Sequence, residues 1–257
     1  LFVEAFKNTN QNTSVFEDLD HPAWAVDTDW QKLVTQTGLR QEYSIGVHGG
    51  TEKSRFAVSA SYLKRKGIIK TSDLSSFFLR ANNDIRFSPK FTIATSVSAS
   101  HQETTPVDND TFHGGAYKSS ISVHSYVEPF DEMGNLKGIS HTANPYFGEN
   151  RNPLINLLLP TRNNARDRIL GNVKADWEFL EGLTLSGNIG ADLLFLNNYS
   201  FQPVYSIGIY QLDQGSTTSG AGRQINWVTD ATLQYARLVG KHDFKILIGS
   251  SAQSFIN

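Results

Sequence analysis

The stretch "ILGNVKADWEFLEGLTLSGNIGADLLF", residues 169–195, alternates apolar and polar side chains in two runs that a short turn separates. Successive side chains of a β-strand point to opposite faces of a sheet, so this alternation predicts a β-hairpin with two unlike faces. Trp177 and Phe179 fall on one face, whereas Lys174 and Asp176 fall on the other. The fold class therefore depends on what the apolar face contacts while the opposite face of the same strands carries charged side chains.

The same alternation recurs along most of the 257 residues and predicts about eight strands. They span residues 41–48, 54–64, 76–87, 91–101, 167–179, 183–195, 224–237 and 242–252. One face of these strands is an uncharged series of side chains, here called the apolar column. Its members are Tyr43, Ile45, Val47, Phe56, Val58, Ala60, Tyr62, Phe77, Leu79, Ala81, Ile85, Phe87, Phe91, Ile93, Val97, Ile169, Val173, Ala175, Trp177, Phe179, Leu183, Leu185, Ile189, Leu193, Phe195, Ile225, Trp227, Leu233, Tyr235, Phe244, Ile246 and Ile248.

The opposite side of the same strands, here called the polar face, alternates with the apolar column. It carries the charged residues Arg55, Arg80, Asp84, Arg86, Lys174, Asp176, Glu178, Asp192, Asp230 and Lys245. An Arg or Lys side chain that faces lipid near the bilayer midplane costs about 2–4 kcal/mol. Contact with lipid would explain an uncharged column, and the polar face would then line an aqueous lumen. The residues predicted to face that lumen are Arg80, Asp84, Lys174, Asp176, Glu178, Asp192 and Asp230.

The connections between the predicted strands are alternately short and long. The short ones lie at residues 49–53, 88–90, 180–182 and 238–241, and the long ones at 65–75, 102–166 and 196–223. Transmembrane β-barrels show this asymmetry, with brief periplasmic turns and longer extracellular loops. Most of the predicted strands are also long enough to cross the hydrocarbon, which takes about 9–11 tilted residues. The expected fold class is an all-β, antiparallel transmembrane β-barrel, of which this chain holds about eight strands.

The bulk composition excludes several classes of protein. Lys and Arg number 23 against 25 for Asp and Glu, so a nucleic-acid partner is not expected. The absence of cysteine excludes disulfides and thiolate metal sites. A run of about 18 apolar residues, as a membrane-spanning helix needs, does not occur. The mean hydropathy of -0.33 is compatible with a barrel, because only every second strand residue faces lipid.

Two segments outside the predicted strands are expected to form a short helix and a long functional loop. Residues 27–38, "DTDWQKLVTQTG", predict a short helix with Thr28 and Gln31 as a capping box and Gly38 as its C-terminal stop. The helix belongs to a leading segment, residues 1–40, and the partial barrel spans residues 41–257. Residues 102–166 form a connection too long for a plain link, so a functional extracellular loop is expected there.

Several short motifs resemble, in order, the barrel region of the SusC/RagA-type TonB-dependent outer-membrane transporters of the Bacteroidota. They are "TDW" at 28–30, "GGTEK" at 49–53, "YL" at 62–63, "GII" at 67–69, "RANND" at 80–84 and "EPFDEMGNL" at 128–136. The residues to which this resemblance gives a structural role are Asp29, Trp30, Gly49, Gly50, Glu52 and Gly67. The family pattern is broken by His48 and by "LSSFF" at 74–78, where other residues are usual.

The resemblance implies the architecture and the partners of an importer in the bacterial outer membrane. It implies a barrel of about 22 strands with an N-terminal plug. It also implies a SusD-like surface lipoprotein that delivers glycans or peptides, and opening by TonB through a part that precedes these residues. The chain opens at Leu1 without an initiator Met, and we expect it to be an excerpt of a longer protein. Neither a cofactor nor an enzymatic reaction is implied.

The candidate substrate contacts lie in the long loop. Exposed aromatic rings offer apolar area to the C–H groups of sugars. The candidates are Phe112, Tyr117, Tyr126, Tyr146, Phe147 and Arg151, and the alternative for the aromatic residues is packing within the loop or onto the partner lipoprotein. His113, His124 and His141 also lie there, but their spacing matches no compact metal motif, and solvated loop histidines are expected.

Two alternatives to an importer follow from the same pattern. In a soluble β-sandwich carbohydrate-binding module, the apolar column would be a buried core rather than a lipid-facing surface. In an outer-membrane hydrolase, Asp176 and Glu178 would act as a carboxylate pair. Lumenal charge explains the two carboxylates better, since no set of nucleophile, base and orienting residue is recognisable in the sequence.

Overall fold

The structure is a computed structural model that describes residues 25–108, 115–138, 152–208 and 210–256. Within these ranges it is dominated by antiparallel strands, with three short helices in or before the long connections. The helices are α1 (Trp30–Val34), α2 (Ala116–Ser122) and α3 (Pro153–Leu158). The strands are β1 (Leu39–Gly50), β2 (Ser54–Lys66), β3 (Asp73–Ser88), β4 (Phe91–Thr105), β5 (Thr161–Leu180), β6 (Leu183–Gln202), β7 (Tyr205–Ile207), β8 (Tyr210–Leu212), β9 (Ser216–Val239) and β10 (His242–Ile256).

Eight of the strands form one antiparallel sheet in the order β1-β2-β3-β4-β5-β6-β9-β10, while β7 and β8 form a separate hairpin. The register aligns the predicted faces across the whole sheet, because residues of like polarity stand opposite one another. One row across six strands contains Ala60, Leu79, Ala99, Ile169, Leu193 and Ile225. A row on the opposite face contains Arg55, Asp84, Ala94, Lys174, Asn188, Asp230 and Ser251. The expected all-β barrel sheet is confirmed.

All eight predicted strands are present, but several extend further at the end where the long connections lie. β5 begins at Thr161 instead of residue 167, β6 continues to Gln202, and β9 begins at Ser216. Both faces of these extensions are largely polar, so the alternation that predicted the strands is lost while ladder pairing continues. The hairpin of β7 and β8 was not predicted, because its strands have three residues each and carry no alternation signal.

The predicted alternation of short and long connections is also present. Tight turns join β1 to β2, β3 to β4, β5 to β6 and β9 to β10, all at one end of the sheet. The longer links, residues 67–72, 106–160 and 203–215, all lie at the other end. None of the helices in the described ranges has the length and apolar character needed to span a bilayer.

The predicted helix near the start of the chain exists, but its cap and its end were predicted wrongly. The N-cap is Asp29, whose carboxylate accepts the N–H of Lys32 at 2.9 Å. Thr28 is not the cap, because its hydroxyl donates to the Val127 carbonyl at 2.8 Å. The helix ends at Thr35 rather than Gly38, since Thr35 leaves helical geometry while its N–H bonds the Gln31 carbonyl.

The buried core lies outside the large sheet, in a unit here called the loop cap. The loop cap comprises α1, α2, α3, residues 67–72, residues 123–138 and the β7–β8 hairpin. Its fully buried apolar side chains include Trp30, Val34, Ala116 and Ile155. Because α1 packs with helices of the long connection, the leading segment and the loop share one core. The division of the chain at residue 40 stays a prediction.

The apolar column, in contrast, has no protein layer over it among the described residues. Ile45 is 70% exposed, Val47 58% and Ile248 68%. A soluble β-sandwich would bury such side chains against a second sheet about 10 Å away. The sandwich alternative is therefore not favoured, and lipid is the medium that suits this surface.

Candidate functional site

The polar face is the concave side of the sheet. A cavity of about 510 Å³ lies against it, and residues of six strands line that one cavity. The polar-face residues in its lining are Arg80, Ser96, Ser98, Leu170, Asn172, Gly190, Asp192, Asn226, Val228, Gln253 and Phe255. Six strands laid flat would span about 24 Å at about 4.8 Å each. A single cavity bordered by all of them requires the sheet to curve around the polar face.

An ion pair between Arg168 and Asp192 holds a side chain of the cavity lining in place. Arg168 Nε and a terminal guanidinium nitrogen donate to the two carboxylate oxygens of Asp192 at 2.8 and 2.7 Å. This two-point geometry holds both side chains in one orientation, as a bidentate Arg–carboxylate pair does. Arg80 lines the same cavity, so its rim is bordered by charges of both signs.

Amide and hydroxyl groups continue the ordering across β5, β6, β9 and β10. Asn172 donates to the side-chain oxygen of Asn188 at 2.6 Å. Asn188 donates in turn to Asp230 at 3.1 Å, and Ser251 donates to Asp230 at 2.5 Å. Side chains linked in this way hold their donors and acceptors in fixed positions on the polar face.

Asp176 and Glu178 lie on the polar face as predicted, but their carboxylates have separate partners. Asp176 accepts from Ser186 at 2.6 Å and pairs with Lys174 at 3.0 Å. Glu178 accepts the N–H of Gly182 at 3.1 Å and so closes the turn between β5 and β6. Each carboxylate therefore has a local structural partner, which does not favour the acid–base pair of a hydrolase.

Asp84 lies near the end of the sheet that carries the tight turns. It borders a second cavity of about 240 Å³, together with Arg55 and Arg86. All seven residues predicted to face a lumen thus lie on the concave polar face. Their contact with cargo stays a prediction.

The predicted loop contacts divide between exposed and packed positions. Tyr117 is exposed on α2. Tyr126 is half-buried against the cluster of Trp30 and Val123, and its ring stacks on His124 at a centroid distance of 5.2 Å. Burial raises the pKa of Tyr126 to about 12 and lowers the pKa of His124. The candidates outside the described residues are Phe112, Tyr146, Phe147 and Arg151, and the substrate role of the whole set stays a prediction.

Trp30 is the anchor of the loop cap. Its side chain is 2% exposed, and its indole N–H donates to the His124 carbonyl at 3.0 Å. The backbone N–H of Thr28 donates to the Ser125 carbonyl at 2.7 Å. Trp30 thereby connects α1, which precedes β1, to a loop residue 94 positions later in the chain.

Asn152 is a structural residue that sequence reasoning missed. It is fully buried, and its amide group donates to the carbonyls of Pro129 and Lys137 at 2.9 Å each. Its side-chain oxygen accepts the N–H of Leu154 at 3.0 Å and so caps α3. An Asn before Pro was the available signal, since this pair is typical of a helix start. Asn152 joins α3 to the hairpin of residues 129–137.

Replacing Asn152 with Asp should weaken the loop cap while leaving the large sheet intact. A carboxylate has no N–H groups, so the two carbonyls would lose their donors and face a buried charge. We expect a loss of about 2 kcal/mol or more in the local stability of residues 129–137. Amide hydrogen exchange in the full-length protein measures it. Asn164→Asp, at an exposed position, is the control, and equal protection of residues 129–137 in both variants would contradict the assignment.

The hairpin held by Asn152 is built on Asp131. The Asp131 carboxylate accepts the N–H of Asn135 at 2.7 Å, the Asn135 amide at 3.1 Å and the N–H of Met133 at 3.0 Å. These hydrogen bonds, led by the backbone N–H of Asn135, lower the pKa of Asp131. Gly134 completes the turn with a φ of 84°, a conformation that L side chains rarely adopt. The turn leaves Met133 84% exposed at the tip.

The remaining motif residues lie at structural positions. Asp29 caps α1, and Glu52 is exposed in the turn between β1 and β2. A Cβ at Gly50 would collide with the Ser54 carbonyl oxygen. The tight turn therefore needs glycine there, because the strand backbones approach too closely for a side chain. Gly49 and Gly67 also lie against neighbouring atoms, Phe56 and Ser72 respectively.

Metal chemistry has no obvious place in the described ranges. His, Asp and Glu side chains there do not gather in groups of three that could hold an ion. His101 comes nearest, with Asp167 at 2.6 Å from one ring nitrogen and Glu103 at 3.6 Å from the other. The imidazole lies between the two carboxylates, so the ligands do not converge on one point.

Comparison with known proteins shows which curated proteins this chain is similar to. No family model matches the chain. TonB-dependent receptor SusC of Bacteroides thetaiotaomicron is 25% identical over 249 residues, covering 89% of this chain. TonB-dependent receptor P26 of Formosa agariphila is 24% identical over 236 residues, covering 90% of it. This chain resembles the SusC-type TonB-dependent receptors.

Solved structures show the same fold for this SusC-like chain. The RagAB peptide importer in its closed-closed state superposes on it with a TM-score of 0.68 at 18% identity, over 89% of this chain. The open-open state gives a TM-score of 0.66. The eight-stranded sheet thus has the fold of a section of that barrel, and the outer-membrane location expected from the sequence is confirmed.

The SusC-like chain spans about a quarter of the length of the curated relatives that it matches, 24% of SusC and 23% of P26. It covers 27% of the RagAB chain used in the structural comparison.

Proposed function

We propose that this chain forms part of the barrel wall of a TonB-dependent nutrient importer in the outer membrane. One observation supports it most strongly. The register of eight antiparallel strands puts an uncovered apolar column on the outer side and an ordered polar face on the concave side. An apolar exterior with a polar interior is the arrangement that allows a barrel to pass hydrophilic cargo through lipid.

The mechanism is movement across the membrane without bond chemistry. Cargo leaving water loses hydrogen bonds, and fixed donors and acceptors along the path compensate for that loss. Arg80, the Arg168–Asp192 pair and Asp230 offer such groups on the concave side. In this proposal, TonB supplies the energy for opening.

The cargo in this proposal is an oligosaccharide or a peptide, delivered by a SusD-like surface lipoprotein. The loop cap lies at the end of the sheet with the long connections, where an extracellular partner would meet the barrel. Support for such a partner comes from the exposed tip at Met133 and from exposed Tyr117. The RagAB structures, described as a peptide importer, share the fold of this chain.

Paired cysteine substitutions test the outer and inner assignment directly. The 257 residues contain no cysteine, so each introduced thiol is unique within this region. Val97 belongs to the apolar column, and the adjacent Ser98 lines the concave cavity. In the full-length protein in intact cells, we expect a small membrane-impermeant maleimide to label Ser98→Cys at least about tenfold faster than Val97→Cys, because lipid excludes the reagent.

Unfolding of each variant in denaturant provides the control, since both thiols should then react at the same rate. Equal labelling in cells would contradict the proposal, as would faster labelling of Val97→Cys. Recovery of the full-length protein in a detergent-free soluble fraction would overturn it independently of labelling.

A further inference from the structure

A group of charged side chains continues the outer surface beyond the apolar column at the loop-cap end. We call it the charged belt; it comprises Lys64, Lys66, Asp73, His101, Glu103, Asp167 and Arg223. Each of these residues lies an even number of positions from the column members of its own strand, as Lys64 and Lys66 lie two and four positions after Tyr62, so they share the outer side. The belt therefore lies where the lipid-facing surface ends and the headgroup layer begins.

The belt contains a recess. A cavity of about 600 Å³ is lined by Lys64, Lys66, Asp73 and Glu103, with Tyr62 at the edge toward the apolar column. Lys64 and Lys66 alternate with Arg65 along β2, so their Cα atoms lie about 7 Å apart on one face. Two cationic amines and two carboxylates thus border one concavity that is continuous with the lipid-facing surface.

In the described ranges, the ion pairs of the charged belt involve His101 and not the two lysines. His101 hydrogen-bonds Asp167 at 2.6 Å and lies 3.6 Å from Glu103. Within the described residues, Lys64 and Lys66 form no ion pair, although Asp73 stands directly opposite Lys66 in the register. Each lysine therefore keeps its donors available for a ligand.

We propose that this recess binds the phosphorylated sugar headgroup of an outer-leaflet glycolipid. The Lys64 and Lys66 amines bind the phosphate, and the Asp73 and Glu103 carboxylates accept hydrogen bonds from sugar hydroxyls. Acyl chains attached to that headgroup would then lie along the apolar column, starting at Tyr62. The inference rests on the proposed function, because it requires the column to face lipid.

The chemistry distinguishes this occupant from simpler ones. A plain anionic lipid would be matched by lysines alone, and the two carboxylates would only repel it. A free phosphate ion would gain nothing from the adjoining apolar surface. A glycolipid with a phosphorylated sugar headgroup matches all three features of the site. Its phosphate suits the lysines, its sugar hydroxyls suit the carboxylates, and its acyl chains suit the adjoining apolar column.

Lipid retention by the purified full-length protein tests the proposal. The protein in mild detergent is mixed with a phosphorylated lipid A, its dephosphorylated form or phosphatidylglycerol, and bound lipid is counted by native mass spectrometry. We expect tightest retention of the phosphorylated lipid A. Lys64→Gln with Lys66→Gln should weaken that retention roughly 10- to 30-fold, because both cationic contacts to the phosphate are removed.

Arg65→Gln is the matched control, because Arg65 lies between the two lysines on the opposite face of β2 and should leave retention unchanged. Unchanged retention in the double lysine variant would overturn the proposal, as would an equal loss in Arg65→Gln. Equal retention of dephosphorylated lipid A or of phosphatidylglycerol would overturn the headgroup assignment. Displacement by millimolar inorganic phosphate alone would reduce the recess to an anion site. These outcomes are independent of the cysteine labelling, which tests whether the column faces lipid at all.

Discussion

Val173→Arg should strongly reduce the amount of folded barrel in the outer membrane. Val173 lies in the middle of the apolar column on β5, opposite Thr95 on one neighbouring strand and Ile189 on the other. A charge at this depth on the lipid face costs about 2–4 kcal/mol. That is a large share of the marginal stability of a folded protein, about 5–15 kcal/mol.

The measurement is urea unfolding of the full-length protein in lipid, together with the folded fraction recovered from membranes. Ser98→Arg is the control, because Ser98 borders the concave cavity, where an arginine can remain hydrated. Lys174, the residue after Val173, already carries a natural charge on that face. Equal stability of Val173→Arg and the unsubstituted protein would refute the lipid-facing assignment, and so would an equal loss in Ser98→Arg.

Trp30→Ala should release the loop cap from the start of β1. Truncation of a fully buried tryptophan costs about 3–5 kcal/mol, and the His124 carbonyl would also lose the indole donor. We expect amide hydrogens of residues 116–138 to exchange on the order of 100-fold faster or more in the full-length protein. The strands should keep their protection, since Trp30 packs with Val123, Tyr126 and Tyr210 rather than with the sheet.

Trp177→Ala separates this effect from a general response to losing a tryptophan. Trp177 is 50% exposed on the apolar column, near the tight turns at the opposite end of the sheet. Its loss should leave exchange in residues 116–138 unchanged. Comparable exchange rates for the loop segment in Trp30→Ala and the unsubstituted protein would show that Trp30 is not the anchor.

The strands could be predicted because one physical constraint acts on every second residue. A side chain such as Val173 or Ile189 must suit lipid, whereas its neighbours must suit water, and the resulting alternation is visible without any partner strand. The predictions were weakest at the polar strand ends. Residues 161–166 satisfy their backbone hydrogen bonds in the ladder but face water on both sides, so no hydrophobic pattern marks them.

The loop cap could not be predicted for a different reason. Its contacts join residues far apart in the chain, as Trp30 with His124 and Asn152 with Pro129. A buried polar residue such as Asn152 forms hydrogen bonds with backbone carbonyls that come close to it only in the folded structure. Thr28 was mispredicted for the same reason. The local sequence predicts it as the helix cap, but in the folded chain its hydroxyl donates to the distant Val127 carbonyl. For Tyr126, the structure adds a packing environment that the sequence left as one of two alternatives.

The length of β5 sets how far this part of the sheet would stand above the bilayer. Its column members run from Ile169 to Phe179, so residues 161–168 extend past the lipid. Eight residues add about 27 Å of strand, or about 20 Å of elevation at a tilt near 40°. In the proposed barrel, the mouth would therefore open well outside the headgroup layer of the membrane.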